Sequence, residues 1–204
     1  MKKFVGILFL IISFVSVYNY GQQNIVLKPG TKLIYSVFRN GEYSNIILTI
    51  NTVFPDLDFT YQTTFDPMAK GEVTMSQNAL HNADRIIYYL LGRNLNLDNA
   101  TFLWFSQKSY NNLINTGRAS ITSENGKLIS LSKLNNSVKK IIEGNDTIYV
   151  NYTNAAQVLG DSTTEIDYGD TYQILDDPNN PMILKMDVGW TVDLKKIIFP
   201  GSNP

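Results

Sequence analysis

Two Asn-Gly dipeptides, each between runs rich in strand-forming residues, constrain the fold of this chain most strongly. Asn40-Gly41 separates KLIYSVF from YSNIILTI, and Asn125-Gly126 separates ASITS from KLISLS. Both residues of such a pair tolerate a positive φ angle, and Asn-Gly between β-rich runs is the strongest short signal for a hairpin. The sequence therefore predicts an antiparallel hairpin at each of these two positions.

Further strands are predicted on both sides of the middle of the chain. In DFTYQTTF the large side chains Phe59, Tyr61 and Phe65 alternate with polar residues, which indicates a strand with an aromatic face. The segments GEVTMS, KKIIEGNDTIYVNY, TYQILDD and GWTVDLKKI continue the pattern, with a turn at Gly144-Asn145. The first strand, KLIYSVF, is apolar on both faces, which predicts that both faces are covered.

The hydrophobic period changes to that of a helix twice. In SQNALHNADRIIYYLLG, a cap at Ser76 and an end at Gly92 predict a first helix. Its apolar face would consist of Leu80, Ala83, Ile87, Leu90 and Leu91. A second helix is predicted from the N-cap Ser106 to Gly117, with Phe105 and Tyr110 spaced as a hydrophobic staple.

This order of elements predicts an α+β fold that is mainly antiparallel β. We expect a curved sheet or half-barrel packed against two short helices, in a single mainly-β domain of residues 22–204. The segment AAQVLGDSTTEIDYGD is weakly patterned and acidic, so it is expected to be an exposed link.

The first 21 residues have the layout of a secretory signal peptide. Lys2 and Lys3 precede an apolar run of about 14 residues, whereas a membrane-spanning helix needs about 20. Cleavage after Gly21 is therefore favoured over a membrane anchor, and it would leave no transmembrane segment. A chain with this leader is expected in the periplasm or outside the cell.

The lack of cysteine and the mild charge exclude several classes of function. Without cysteine there is no disulfide, no thiolate nucleophile and no zinc site of cysteine ligands. Basic and acidic residues nearly balance, at 17 against 18, and no basic stripe of the kind that nucleic acids need is visible. Absence of disulfides together with the wealth of Asn, Ile, Lys and Tyr favours a bacterial exported protein.

Three patterns could carry chemistry, and each has a plainer interpretation. Asp176 and Asp177 begin DDPNNPMILKMDVGW, where they are either turn residues in water or a polar or metal site at a strand end. His81 has Asp84 and Arg85 three and four residues on, a spacing that is also common on any exposed helix. The acidic segment from Asp161 to Asp177 lacks the calcium-loop spacing, which leaves only a looser cation site open. We predict no catalytic residue, no metal site and no cofactor.

Both ends of the expected domain resemble a group of uncharacterised bacterial periplasmic β-proteins. The resemblance rests on LKPGTKLIYSV with its Asn-Gly hairpin, and on NPMILKMDVGWTVDLKKI. More distantly, the pattern is similar to the half-barrel lipoprotein carriers of the periplasm, in which a curved sheet surrounds an acyl-chain cavity. The resemblance implies a half-barrel fold, and it brings no catalytic motif and no functional residues.

These observations favour an exported, non-enzymatic binding or envelope-associated protein. Its ligand would be a hydrophobic small molecule or a lipid held in the curved sheet, with Phe59, Tyr61, Phe65, Trp104 and Trp190 as the expected lining. A carboxylate-based hydrolase is one alternative, and it would bring acidic side chains together in a pocket. A structural partner of an envelope protein is the other, and it would expose an apolar patch or a bare sheet edge.

Overall fold

A computed structural model describes residues 24–66, 68–90, 92–159 and 167–201 of the chain, with only the backbone at positions 167 and 168. The predicted signal peptide, Leu91 and the acidic residues Asp161 and Glu165 lie outside the described residues.

The described part contains thirteen strands and two helices. The strands are β1 Lys32–Arg39, β2 Glu42–Thr52, β3 Leu57–Thr63, β4 Lys70–Met75, β5 Arg85–Ile87, β6 Leu95–Leu97, β7 Ala100–Phe102, β8 Arg118–Ser123, β9 Leu128–Glu143, β10 Asp146–Leu159, β11 Asp167–Leu175, β12 Ile183–Asp187 and β13 Thr191–Ile198. The helices are α1 Gln77–Asn82 and α2 Gln107–Thr116.

All thirteen strands join one large, curved and mostly antiparallel sheet. The strand order is β6-β4-β3-β2-β1-β13-β12-β11-β10-β9-β8-β5-β7, with an additional pairing of β13 with β9. The pairs β4–β6, β5–β7, β5–β8 and β9–β13 are parallel. The predicted α+β fold with a curved antiparallel sheet and two helices is confirmed. No helix in the described ranges has the length and apolar character that crossing a bilayer requires.

The predicted hairpin turns are present. Asn40 and Gly41 have φ angles of 52° and 84°, and they join β1 to β2 with Arg39 opposite Glu42. Gly126 and Gly144, with φ angles of 83° and 57°, lie in the turns that join β8 to β9 and β9 to β10. Glycine has no Cβ, so it adopts these left-handed conformations without strain.

The core lies on the inner face of the sheet, which is the face that packs against the helices. Leu33, Tyr35 and Val37 of β1 are buried in one cluster with Tyr110 and Leu113 of α2. On the other face of β1, Ile34 and Ser36 are partly exposed. The prediction that both faces of this strand are covered was therefore wrong, because both helices pack on the inner face.

The first helix is much shorter than predicted. Ser76 caps α1 by accepting a hydrogen bond from the Ala79 amide, but Ala83 already has the extended backbone angles φ −58° and ψ 139°. The residues that follow form β5 between β7 and β8. Two adjacent isoleucines, Ile86 and Ile87, favour a strand, and sheet pairing outweighed the helical period. The second helix is confirmed, with Ser106 as N-cap and Gly117 at the left-handed C-terminus.

The segment predicted as a link belongs largely to strands. Ala155, Ala156 and Gln157 lie in β10 and are buried, and β11 begins at Asp167. Only positions 160–166 separate the two strands, and these lie outside the described residues.

The tip of the β9–β10 hairpin extends beyond the sheet as an arm, formed by residues 134–143 and 146–151. Residues Ile142 and Glu143 pair in parallel with Lys196 and Ile197 of β13. This pairing closes the five strands from β9 to β13 into a ring. The arm lies against the outer face of the sheet, since Lys139 reaches Gln173 and Asp193 there.

Candidate functional site

An apolar groove of about 350 Å³ opens at one end of the core. Five separate segments form it: the residues before β1, the β2–β3 turn, α1, the start of α2 and the turn before β12. Its apolar lining includes Val26, Val53, Phe54, Leu57, Leu80 and Trp104. Trp104 and Leu57 are buried, whereas Val26 and Phe54 expose 60% and 78% of their surface. The groove, as we call this site, therefore combines a fixed apolar floor with an exposed apolar rim.

Trp104 forms the most firmly held part of the floor. Its indole Nε1 donates a hydrogen bond of 2.8 Å to Asn180 Oδ1, and Asn180 Nδ2 donates to the Ile25 carbonyl at 3.2 Å. The indole also stacks on Phe59, with 6.0 Å between ring centroids. These contacts tie together four segments that lie far apart in sequence, so the floor is preorganised.

Polar side chains occur in the groove beside the apolar ones. They are Gln77, His81, Gln107, Asp177 and Asn179. Asp177 accepts a 2.9 Å hydrogen bond from the Asn179 amide, which confirms it as a turn residue. The polar side chains supply donors and acceptors for a ligand that is not wholly apolar.

The His81 side chain is exposed, and the residues spaced to assist it are engaged elsewhere. Arg85 Nη2 donates to the carbonyl oxygen of Glu124, and Asp84 lines a separate surface recess. The spacing of His81, Asp84 and Arg85 therefore does not assemble a general base with an orienting carboxylate in the groove.

Asp176 differs from Asp177 because its side chain accepts a hydrogen bond from a residue of α2. The Tyr110 hydroxyl donates to Asp176 Oδ1 at 2.5 Å. Burial, reinforced by this carboxylate, raises the pKa of Tyr110 above its ordinary value of 10.0. The interaction joins α2 to the end of β11, and Asp176 is thus not simply a solvated turn residue.

The five predicted lining residues do not converge. Phe59 and Tyr61 belong to the core, and the Tyr61 hydroxyl donates to the Arg93 carbonyl at 3.0 Å. Phe65 lies beyond the end of β3 and is largely exposed. Trp190 is away from the groove, stacked on Tyr89 at 5.5 Å between centroids. Of the five, only Trp104 lines the groove.

Sequence reasoning missed the residues that make the rim apolar. Val53 and Phe54 precede Pro55 in a turn, where exposed apolar side chains are unusual enough to be a usable signal. Val26 lies five residues after the expected cleavage site at Gly21, and nothing in the local pattern sets it apart from the residues that follow.

Neither a metal centre nor a carboxylate pocket emerges in the part of the chain that the structure describes. No group of three or more His, Asp or Glu side chains there could hold a metal ion. Asp58 and Glu72, on β3 and β4, form a carboxylate pair in which the charge of Asp58 raises the pKa of the partly exposed Glu72. This pair is not part of the groove.

A buried polar cluster lies between the arm and the outer face of the sheet. Lys139 Nζ contacts Asp193 Oδ1 and Gln173 Oε1, and Lys195 Nζ contacts Asp193 Oδ2. The side chains of Lys139 and Asp193 are only 13% and 15% exposed. Burial lowers the pKa of Lys139 despite its partner. Burial alone would raise the pKa of Asp193, but the hydrogen bonds from the two lysines lower it.

Comparisons with family models, curated proteins and solved structures gave no match to this chain. The resemblance to periplasmic β-proteins therefore stays a prediction from sequence, and the groove itself carries the functional argument.

Proposed function

We propose that this protein is a non-catalytic binding protein that takes a hydrophobic molecule or a lipid chain in the groove. The observation that carries the proposal is the exposed apolar rim beside a buried, preorganised floor. Exposing Val26 and Phe54 to water is unfavourable, and a ligand that covers them recovers the free energy of apolar burial.

The chemistry of the lining favours an amphiphile with one apolar chain. The volume of about 350 Å³ lies at the lower end of the roughly 300–1,000 Å³ typical of ligand sites. An apolar chain would lie against Trp104, Val53 and Phe54. Its polar end would meet the donors and acceptors of Gln77, Gln107 and Asn179.

The place of action is part of the same proposal. The pattern of residues 1–21 supports export to the periplasm or beyond, where a carrier or an envelope-associated protein would meet lipids. The sequence analysis expected the ligand to lie in a cavity of the curved sheet. The proposed site is instead the groove at one end of the core, because core side chains fill the inner face of the sheet.

The two tryptophans permit a direct test, because the chain contains only these two and only Trp104 lines the groove. Trp190→Phe leaves Trp104 as the sole indole, and Trp104→Phe leaves Trp190. Titration with dodecanoate should change the fluorescence of the Trp190→Phe variant saturably. The Trp104→Phe variant should show little change in emission while still binding ligand by calorimetry.

Rim variants test whether the groove itself binds the probe. Phe54→Ser should weaken dodecanoate binding by about tenfold to a hundredfold, since covering a phenyl side chain contributes roughly 1.5–3 kcal/mol. Phe65→Ser is the matched control, because Phe65 is equally exposed but lies outside the groove. Equal affinities for the two variants would argue against the groove as the site.

The natural ligand can be sought by native mass spectrometry of protein purified from its own cells, followed by organic extraction. A copurifying apolar molecule that is lost from Phe54→Ser supports the proposal. A protein that is free of ligand, and that also fails to bind dodecanoate, contradicts it.

A further inference from the structure

The permanent charge in the groove is that of a carboxylate. Asp177 belongs to the lining and is partly buried. Its Oδ1 accepts the Asn179 amide, whereas its Oδ2 has no hydrogen-bond partner among the described residues. Neither lysine nor arginine occurs in the described part of the lining. A carboxylate is ionised at neutral pH, so the groove presents a negative charge and an acceptor that a ligand can use.

The turn of residues 177–180 fixes this carboxylate beside the apolar floor. The Asn180 amide donates to the Asp177 carbonyl at 3.1 Å, and the Asn180 side chain accepts from the Trp104 indole. Burial is the main cause of the raised pKa of Tyr110, and the charges of Asp176 and Asp177 raise it further. Both carboxylates therefore lie close to α2, and the charge in the groove has a defined place.

A second carboxylate stands at the margin of the groove. Asp56 lies between Pro55 and Leu57, which both belong to the lining. Its Oδ1 accepts a 2.9 Å hydrogen bond from the backbone amide of Gln77, the first residue of α1. This bond holds Asp56 beside the groove, so its negative charge adds to that of Asp177.

The positive groups near the groove are weaker or lie elsewhere. Lys28 is exposed outside the lining, and Lys108 lines a separate recess. The N-terminus of α2, at Gln107, carries about half an elementary positive charge. His81 is exposed, and an imidazole is only partly protonated at neutral pH. The two carboxylates outweigh these contributions.

We infer that the groove prefers an amphiphile with a cationic head, an alkylammonium group placed beside Asp177. The inference rests on the proposed function and adds the class of head group to it. An ammonium group is attracted to the carboxylate oxygen, whereas the carboxylate of a fatty acid in the same place would be repelled. The apolar chain keeps its contacts with Trp104, Val53 and Phe54.

Two probes with the same apolar chain isolate the effect of the head group. They are dodecyltrimethylammonium and dodecanoate, each titrated calorimetrically below its micelle concentration. At low salt the cation should bind about tenfold more tightly than the anion, as Coulomb's law gives for charges a few ångströms apart near a protein surface. Raising the salt concentration should narrow this difference, because mobile ions screen charges that solvent reaches.

Asp177→Asn tests whether this carboxylate is the source of the preference. Asparagine keeps the size of the side chain and an acceptor for the Asn179 amide, so the turn should be preserved. The ratio of the two affinities should fall at least about threefold. Asp146→Asn is the matched control, because it changes the net charge equally at an exposed position outside the groove. Circular dichroism checks that both variants fold.

The cation must also bind in the groove and not merely to an acidic protein. Phe54→Ser removes apolar contact but no charge. It should therefore weaken the binding of both probes and leave the ratio of their affinities nearly unchanged.

Two results would overturn the inference and leave the proposed function intact. One is dodecanoate that binds the wild-type chain at least as tightly as dodecyltrimethylammonium. The other is an affinity ratio that Asp177→Asn changes no more than Asp146→Asn does. Failure of both probes to bind the wild-type chain would instead contradict the proposed function, and the preference for a cationic head with it.

Discussion

The inner and outer faces of the sheet are covered in opposite ways. On the inner face, Tyr172, Met186 and Val192 join a continuous apolar core with the two helices. On the outer face of the same strands, Gln173 and Asp193 are covered by the arm and hold it through Lys139. The inner face is held by apolar area, whereas the arm combines the buried side chains of Ile141, Ile148 and Val150 with a few directed polar contacts.

The difference between the two faces separates the contacts that stabilise the fold from those that fix the position of the arm. Apolar burial is not directional and contributes most of the free energy of folding. A buried ion pair contributes less, because desolvation offsets the attraction, but it requires one geometry. We therefore expect inner-face substitutions to change global stability most, and outer-face substitutions to act mainly on the arm.

The largest effect is expected for Trp104→Ala, which should lower the free energy of unfolding by about 3–5 kcal/mol. The substitution leaves a void in the core and deprives Asn180 of its indole partner. Trp190→Ala is the control and should cost roughly 1–2 kcal/mol, since Trp190 is partly exposed and stacks mainly on Tyr89. Urea unfolding followed by circular dichroism measures both, and equal losses would contradict the inner-face assignment.

The second-largest change in the free energy of unfolding is expected for substitutions in the polar cluster of Lys139, Gln173, Asp193 and Lys195. Lys139→Met should cost about 1–3 kcal/mol, because it deprives the mostly buried Asp193 carboxylate of the one of its two lysine partners that is itself mostly buried. Lys195→Met, whose side chain is 57% exposed, should change stability by less than about 0.5 kcal/mol. A double-mutant cycle of Lys139→Met and Asp193→Asn gives the coupling, and a coupling of zero would mean that the pair does not hold the arm.

A smaller effect is expected from a polar group on the inner face. The Tyr35 hydroxyl, which is fully buried, donates to the Ile183 carbonyl at 3.1 Å. Tyr35→Phe should cost only about 0.5–1.5 kcal/mol, since the ring keeps its packing. Tyr43→Phe, at an exposed position, should be neutral. A loss as large as that of Trp104→Ala would show that the inner face depends on directed contacts after all.

The smallest expected effect is a change in the free energy of unfolding at acidic pH. The folded protein holds the pKa of Asp193 below its ordinary value of 3.8, so the unfolded chain binds this proton more readily. The contribution of Asp193 is therefore fully present above pH 3.8 and is lost as the pH falls through the lower folded pKa. Asp193→Asn should remove this part of the pH dependence, measured by urea unfolding between pH 5 and pH 2. An unchanged pH profile would contradict the shift.

Local signals in the sequence predicted the elements that local chemistry determines. The Asn40-Gly41 turn and the caps of α2 each depend on a few adjacent residues, and both are present. The predicted end of α1 at Gly92 was wrong because the residues after Asn82 form β5, which pairs with strands that are distant in sequence. The contact of β9 with β13 has no local signature, since it joins residues about 54 positions apart.

The groove was predictable only in part for the same reason. Trp104 was selected because tryptophan combines a large apolar ring with one donor, and such residues are frequent at binding sites. Phe59 and Tyr61 satisfied the same criterion, but they lie in the core. Period-two patterning identifies a face and does not say whether that face meets a ligand or another layer of the protein.

The strand order also has a consequence for how the chain reaches its native state. β1 and β13, the first and last strands, pair with each other near the centre of the sheet order, whereas β6 and β7 from the middle of the chain lie at its two ends. During synthesis, the central seam therefore cannot form until residue 198 has emerged. Contacts of such high sequence separation slow folding, so the chain should remain open until its last strand is available.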